Sequence, residues 1–175
     1  MSAYVRQTNY ILGIDPGTTQ SGYVIYDAKE NIPIKADKVD NQEILYLILD
    51  LSIISPQSVD VVIERFAPQS NIGMSTVTSI HWAGRFYECA VEHYFPVYRI
   101  YRRDIKKHLL GKFDKSKGSA DSQIRKELVK RFAKFDFKNG KGNKDNPDTL
   151  YGFSHSDTYS ALAVIVAYLD GVKRE

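Results

Sequence analysis

The apolar positions fall in short blocks whose period changes along the chain. Tyr10-Ile11-Leu12-Gly13-Ile14-Asp15 is an apolar run that ends on an acid, and Pro16-Gly17 breaks it before a second run, Tyr23-Val24-Ile25-Tyr26. This predicts strand, turn, strand, with residues 10–15 and 21–27 as antiparallel neighbours. Residues 31–38, with Ile32 and Ile34, predict a third strand. At Asn41 the period becomes helical: Ile44, Leu45, Leu47, Ile48, Leu51 and Ile54 recur, Asp40 or Asn41 can cap, and Pro56 ends the helix. Residues 59–64, Val-Asp-Val-Val-Ile-Glu, read as a buried strand that again ends on an acid, followed by a loop over 65–71.

Residues 73–94 predict a long helix with Val77, Ile80, Ala83/Gly84, Tyr87 and Val91 on one face, where the two small residues allow close approach of another element. A short strand over 97–101 follows. Ile105, Leu109 and Leu110 predict a short helix ending at Gly111, then a polar loop over 112–118. A helix over 121–135 carries Ile124, Leu128, Val129 and Phe132 inward. Residues 136–148, rich in Gly, Asn and Lys, read as an ordered turn or a mobile loop, and a last helix over 156–170 buries Ala161, Leu162, Val164, Ile165 and Tyr168. The order is β-β-β-α-β-α-β-α-α-α. Strands joined through helices should be parallel and adjacent by the right-handed crossover rule. The expectation is an α/β fold in one domain over 1–175, a mixed five-stranded sheet with helices on both faces.

Charge adds to this picture. Between Arg99 and Lys144 there are sixteen Lys/Arg against five Asp/Glu, while the remainder holds eight against sixteen. Segregation on that scale suits a polyanion, most simply nucleic acid, although a solvated Lys-rich face is the ordinary alternative. The one cysteine, Cys89, cannot form a disulfide within the chain and reads as a small core residue. The longest apolar stretch, Ala161–Leu169, is too short to span a bilayer. A soluble, cytoplasmic protein is expected, with no membrane partner.

The two strand-end acids carry the chemistry. In a parallel pair both carboxyl ends lie at one sheet edge, which places Asp15 beside Glu64, where open α/β sheets bind ligands. Asp157, in the first turn of the last helix, can join them. Three oxygen donors suit a hard cation, Mg²⁺ or Mn²⁺. Each acid also has a plain reading: Asp15 as a turn former, Glu64 as a surface ion-pair partner, Asp157 as a helix cap. Clustered acids beside a cationic region fit phosphodiester hydrolysis assisted by two metal ions, with Lys106 or Lys107 neutralising developing charge and the basic stretch gripping phosphates.

Gly13-Ile14-Asp15-Pro16-Gly17 with Ser21-Gly22, then Val62-Ile63-Glu64-Arg65-Phe66, then Ser160-Ala161-Leu162-Ala163-Val164, resemble the RuvC family of Holliday junction resolvases over about Tyr10 to Tyr168. The resemblance implies a ribonuclease H-like fold and a homodimer formed through the 73–94 helix. It implies paired, symmetric nicking of four-way DNA junctions with two Mg²⁺ ions per site, Mn²⁺ substituting. Asp15 and Glu64 match the family's metal ligands, Asp157 is retained as a third, and Lys106 matches its functional lysine. Phe66 lies near the family's base-stacking aromatic. Arg102, Arg103, Lys106, Lys107, Lys112, Lys115 and Lys117 fall in its basic segment and the loop after it.

Ser160 departs from the pattern, standing where the family has a second acid or a histidine. Either three acids suffice, or His155 or Asp148 supplies the missing ligand, or cleavage is weakened, or the serine marks a deliberately substituted, inactive form. The divergence resembles that of phage-encoded members and predicts relaxed preferences, extending to forks and flaps. Three rivals remain: a sugar-kinase-like ATPase, for which the chain is short by one lobe; a non-catalytic or weakened branched-DNA-binding protein; and a nuclease for RNA or plain duplex.

Overall fold

The computed structural model describes residues 8–54, 58–67, 72–112 and 114–174. Pro56 and the 68–71 part of the predicted loop lie outside the described residues. The elements are β1 (Tyr10–Asp15), β2 (Gln20–Asp27), β3 (Ile32–Asp40), α1 (Asn41–Ile54), β4 (Val59–Arg65), α2 (Met74–Glu92), β5 (Val97–Tyr101), α3 (Arg102–Leu110), a 3₁₀ turn (Lys115–Lys117), α4 (Ala120–Phe132) and α5 (Ser156–Leu169). The strands form one sheet in the order β3-β2-β1-β4-β5. β1 runs antiparallel to β2 and parallel to β4, and β4 runs parallel to β5.

Register assigns the two faces. Gly13 sits opposite Val24 and Val62, so Ile11, Val24, Tyr26, Val62 and Ile100 turn together toward α3, α4 and α5. Leu12, Ile14, Tyr23, Val61 and Ile63 turn the other way, onto Ile44 and Ile48 of α1 and Phe86 and Ala90 of α2. β4 is buried from Val59 to Glu64 because helices cover both faces, which is why its sequence does not alternate. Each fully buried Ile, Leu or Val here contributes about 1.5–3 kcal/mol.

α5 is buried along an unbroken run from Ala161 to Ala167. A helix apolar all round must be enclosed, and α5 lies between the sheet and the α3–α4 pair. Gly13 lets it come down onto β1: a Cβ there would stand 2.5 Å from the Ala161 carbonyl oxygen. Asp170, just past α5, accepts both guanidinium hydrogen bonds of Arg131 on α4 (2.7 and 2.8 Å) and faces His108 Nε2 on α3 at 2.9 Å, tying the three helices together.

Two readings are sharpened. On the α2 face, Ala83 and Tyr87 pack partly against the core while the other apolar positions turn outward. Val77, Ile80 and Val91 are exposed, and Ser79, Phe86 and Ala90 are the buried positions. The 136–148 segment is an ordered loop. Asp148 accepts the backbone N–H groups of Lys134, Phe135, Asp136 and Thr149, and Asp136 accepts those of Lys138, Asn139, Lys141 and Gly142. Burial pushes the Asp148 carboxyl up, but those backbone donors outweigh it and hold it well below the ordinary carboxylate range. The same bonds explain why α4 stops at Phe132 rather than at 135: the amides that would extend it are turned to Asp148. With its oxygens taken up by backbone, Asp148 is not the missing metal ligand.

Candidate active site

β1 and β4 end at the same edge of the sheet. Ile14 pairs with Ile63, so the next residues, Asp15 and Glu64, lie side by side on the face under α5. Across β1, Asp15 pairs with Gly22, and Gly22 pairs with Lys38 of β3. One row thus carries Lys38, Gly22, Asp15 and Glu64. Gly22 is the seat of α5: any Cβ there would overlap the Asp157 backbone carbonyl, so its absence lets the first turn of α5 bring Asp157 to the row. Behind Asp15 the turn is braced. The Gly17 N–H donates to Ser21 Oγ (3.0 Å), Ser21 donates to Asn41 Oδ1 (2.5 Å), and the Asn41 amide donates to the Gly17 carbonyl (3.2 Å).

The site is short of positive charge. Burial raises the Asp15 carboxyl well above its ordinary value. Glu64 and Asp157 raise it further, and Arg102 and a hydrogen bond with Ser160 only partly oppose them. Glu64, 2% exposed, is raised by burial against the pull of Arg102. Arg102 donates from Nη1 to Glu64 Oε1 (2.6 Å) and from Nη2 to Asp121 Oδ1 (2.8 Å). Burial works against the Arg102 charge, but Glu64, Asp15 and Asp121 more than restore it. Asp157 Oδ2 pairs with Lys38 Nζ at 2.6 Å. Among the described residues, no three His, Cys, Asp or Glu side chains converge closely enough to hold an ion as they stand. Three neighbouring carboxylates repel, and here two of them reach for a cation of the chain itself.

A cavity of about 270 Å³ opens beside Glu64, between α3, α4 and the start of α5, and Arg102, Lys106, His155 and Ser160 line it. His155 is exposed at the N-terminus of α5 and makes no side-chain cap. Phe66 lines an adjoining hollow with Arg102, Arg103 and Lys106. Lys107 is exposed and lines neither. Lys112 and Lys117 line a separate groove at the far end of α3, where Lys117 Nζ stands 3.7 Å from Asp114, and Lys115 is exposed in the 3₁₀ turn between them. The structure therefore gathers Asp15, Glu64, Asp157, Arg102, Lys106, His155 and Phe66, with Arg103, around one edge, and leaves Lys107, Lys112, Lys115 and Lys117 away from it.

Two partners escape sequence reasoning. Lys38 reaches Asp157 through the β2–β3 register, legible only by counting back from the turn. Asp121 reaches Arg102 across the α3–α4 contact, for which the sequence carries no signal. The glycines at 13 and 22, isolated within strands, were the available mark of a close approach.

No protein-family model matches the chain, and no curated protein matches it. Solved structures do. T. thermophilus RuvC in complex with a Holliday junction substrate aligns at 18% identity over 95% of this chain and 99% of that one, with a TM-score of 0.58. The fold is that of RuvC. A second T. thermophilus RuvC structure aligns at 20% identity over the same shares, with a TM-score of 0.56. The Fowlpox virus resolvase bound to substrate Holliday junction DNA aligns at 16% identity over 92% of this chain and 97% of that one, at 0.51. The mixed five-stranded sheet with helices on both faces is as the order of elements predicts. Among the described residues no helix is long and apolar enough to cross a membrane.

Proposed function

We propose that this protein is a structure-selective DNA endonuclease that resolves four-way junctions by hydrolysing phosphodiester bonds. One observation carries the proposal: on a RuvC fold, the row Asp15–Glu64 with Asp157 packs three carboxylates together, Glu64 fully buried, with less positive charge than they call for, beside a cavity lined by Arg102 and Lys106. The donor set fits a hard divalent cation, since all three ligands offer oxygen and the excess negative charge is what such an ion relieves. Asp15, Glu64 and Asp157 would hold the ions, two per site, with His155, on the wall of the same cavity, as a further donor. Bound Mg²⁺ or Mn²⁺ would supply Lewis acidity toward the scissile phosphate and a nucleophilic water at neutral pH.

The chain's own residues do the rest. Ser160, at the family's fourth ligand position, sets a neutral hydroxyl beside Asp15 that eases the rise of its carboxyl. Arg102 pairs with Glu64 and opposes the rise that burial imposes on its carboxyl. Lys106, at the cavity wall, meets the negative charge that builds on the phosphate as the bond to the 3′-oxygen breaks. Phe66, against Arg102, Arg103 and Lys106, is placed to stack on an unpaired base near the crossover. The exposed α2 face (Met74, Val77, Ile80 and Val91, with open space at Gly84) suits a second copy of the chain, giving two sites for two opposing strands. The segregated basic residues from Arg99 to Lys144 supply phosphate contacts.

A panel of labelled substrates tests this. With Mg²⁺, the four-way junction should be cut at least about tenfold faster than forks and flaps, and those faster than matched duplex. Equal cutting of duplex and junction would overturn the assignment. Junction binding without any cutting in Mg²⁺ or Mn²⁺ would favour the non-catalytic alternative.

A further inference from the structure

The basic surface does not end at the acid cluster. A second groove, of about 360 Å³, lies between α4 and the 133–150 loop, and Arg125, Lys126, Lys130, Phe137 and Lys138 line it. Ser122 and Arg125 line both this groove and the cavity beside Glu64, so the two adjoin across α4. The Arg125 guanidinium lies over the Tyr159 ring at 4.8 Å, which fixes it at the junction of the two. Four cations line the second groove and no acid does; Glu127, which pairs with Lys130 at 2.7 Å, faces outside it.

Phe137 is the unexpected member. It is 69% exposed, and Phe135, two residues before it, is 47% exposed. The loop that carries them is held by the Asp136 and Asp148 carboxylates on eight backbone N–H groups, so Phe137 is presented on a rigid support. An ordered, exposed aromatic set among cations is the pattern that binds unpaired nucleic acid: the cations track phosphates and the ring stacks on a base. A paired arm would offer phosphates but no free base face.

We infer that α4 and the 133–150 loop form a track for an unpaired DNA strand leading away from the acid cluster, with Phe137 stacking on a base and Arg125, Lys126, Lys130 and Lys138 holding the backbone. The track rests on the nuclease reading of that cluster. It gives the enzyme a way to hold a strand opened at the crossover.

The test is fluorescence anisotropy of the full-length protein with a labelled oligothymidylate of about twelve nucleotides, against an abasic oligomer of equal length and charge. Wild type should bind the thymidylate about tenfold more tightly than the abasic strand. Phe137→Ala should erase that difference and Phe137→Tyr should keep it. Lys126→Gln with Lys138→Gln should reduce the salt slope of binding by about 1.4. Equal affinity for the two oligomers, an unchanged preference in Phe137→Ala, or displacement of the thymidylate by duplex at equal nucleotide concentration would overturn the track. Cutting of a fully paired junction is scored separately. Its presence without base preference removes the track alone; its absence with the base preference kept removes the nuclease reading and leaves a strand-binding groove that serves no cutting site.

Discussion

Asp15→Asn should lower Mg²⁺-dependent junction cutting by about a thousandfold while leaving metal-free junction binding intact. Amide for carboxylate keeps the shape and the Ser160 contact but removes the charge at the centre of the row. The same change should stabilise the metal-free protein, by about 1 kcal/mol, because it relieves a buried carboxylate facing Glu64 and Asp157. The pH dependence has a definite sign. A carboxyl raised on folding binds its proton more tightly in the folded chain. Its contribution is fully present below the unfolded value and is lost as pH rises through the raised one. Metal-free wild type should therefore lose stability over that acid range, and Asp15→Asn should lose less. Thermal melts across pH read this. A variant that cuts like wild type, or that melts lower at neutral pH, would remove Asp15 from the site.

Arg102→Gln has the largest expected effect on stability. Glu64 is 2% exposed, and its 2.6 Å bond to Arg102 is the cation contact that makes a buried charge there tolerable. Removing one partner of such a pair leaves the other uncompensated and costs about 3–5 kcal/mol. For a chain of this length that corresponds to a fall in Tm of roughly 10 °C. Adding Glu64→Gln should recover most of the loss, because the two changes share one interaction and are not additive. If Tm holds while junction affinity falls severalfold, Arg102 is a phosphate contact and the ion pair is incidental.

Much of the fold is legible because the chain marks its transitions locally. The acid endings of β1 and β4, the Pro16-Gly17 break, the change to helical period at Asn41 and the apolar run from Ala161 are each written within a few residues. The rest depends on distant partners. Periodicity showed that α2 has an apolar face at Val77, Ile80 and Val91 but not what covers it, and the sheet takes the Phe86 and Ala90 side instead. The composition of 136–148 is that of a loop, and its order comes from Asp148, twelve to fourteen residues away from three of the four amides it collects. The acids of the site were readable one by one; the Lys38 and Arg102 cations that hold Asp157 and Glu64 were not, since both pairs form across elements.

The most direct measurement uses a four-way junction whose two opposing strands carry different dyes, incubated with the wild-type protein and Mg²⁺. Both strands should be nicked at matching positions within the lifetime of one complex, leaving nicked duplexes that ligase seals without further processing. Nicks in one strand only, nicks at unrelated positions, or no nicks from a protein that binds the junction would contradict a resolvase.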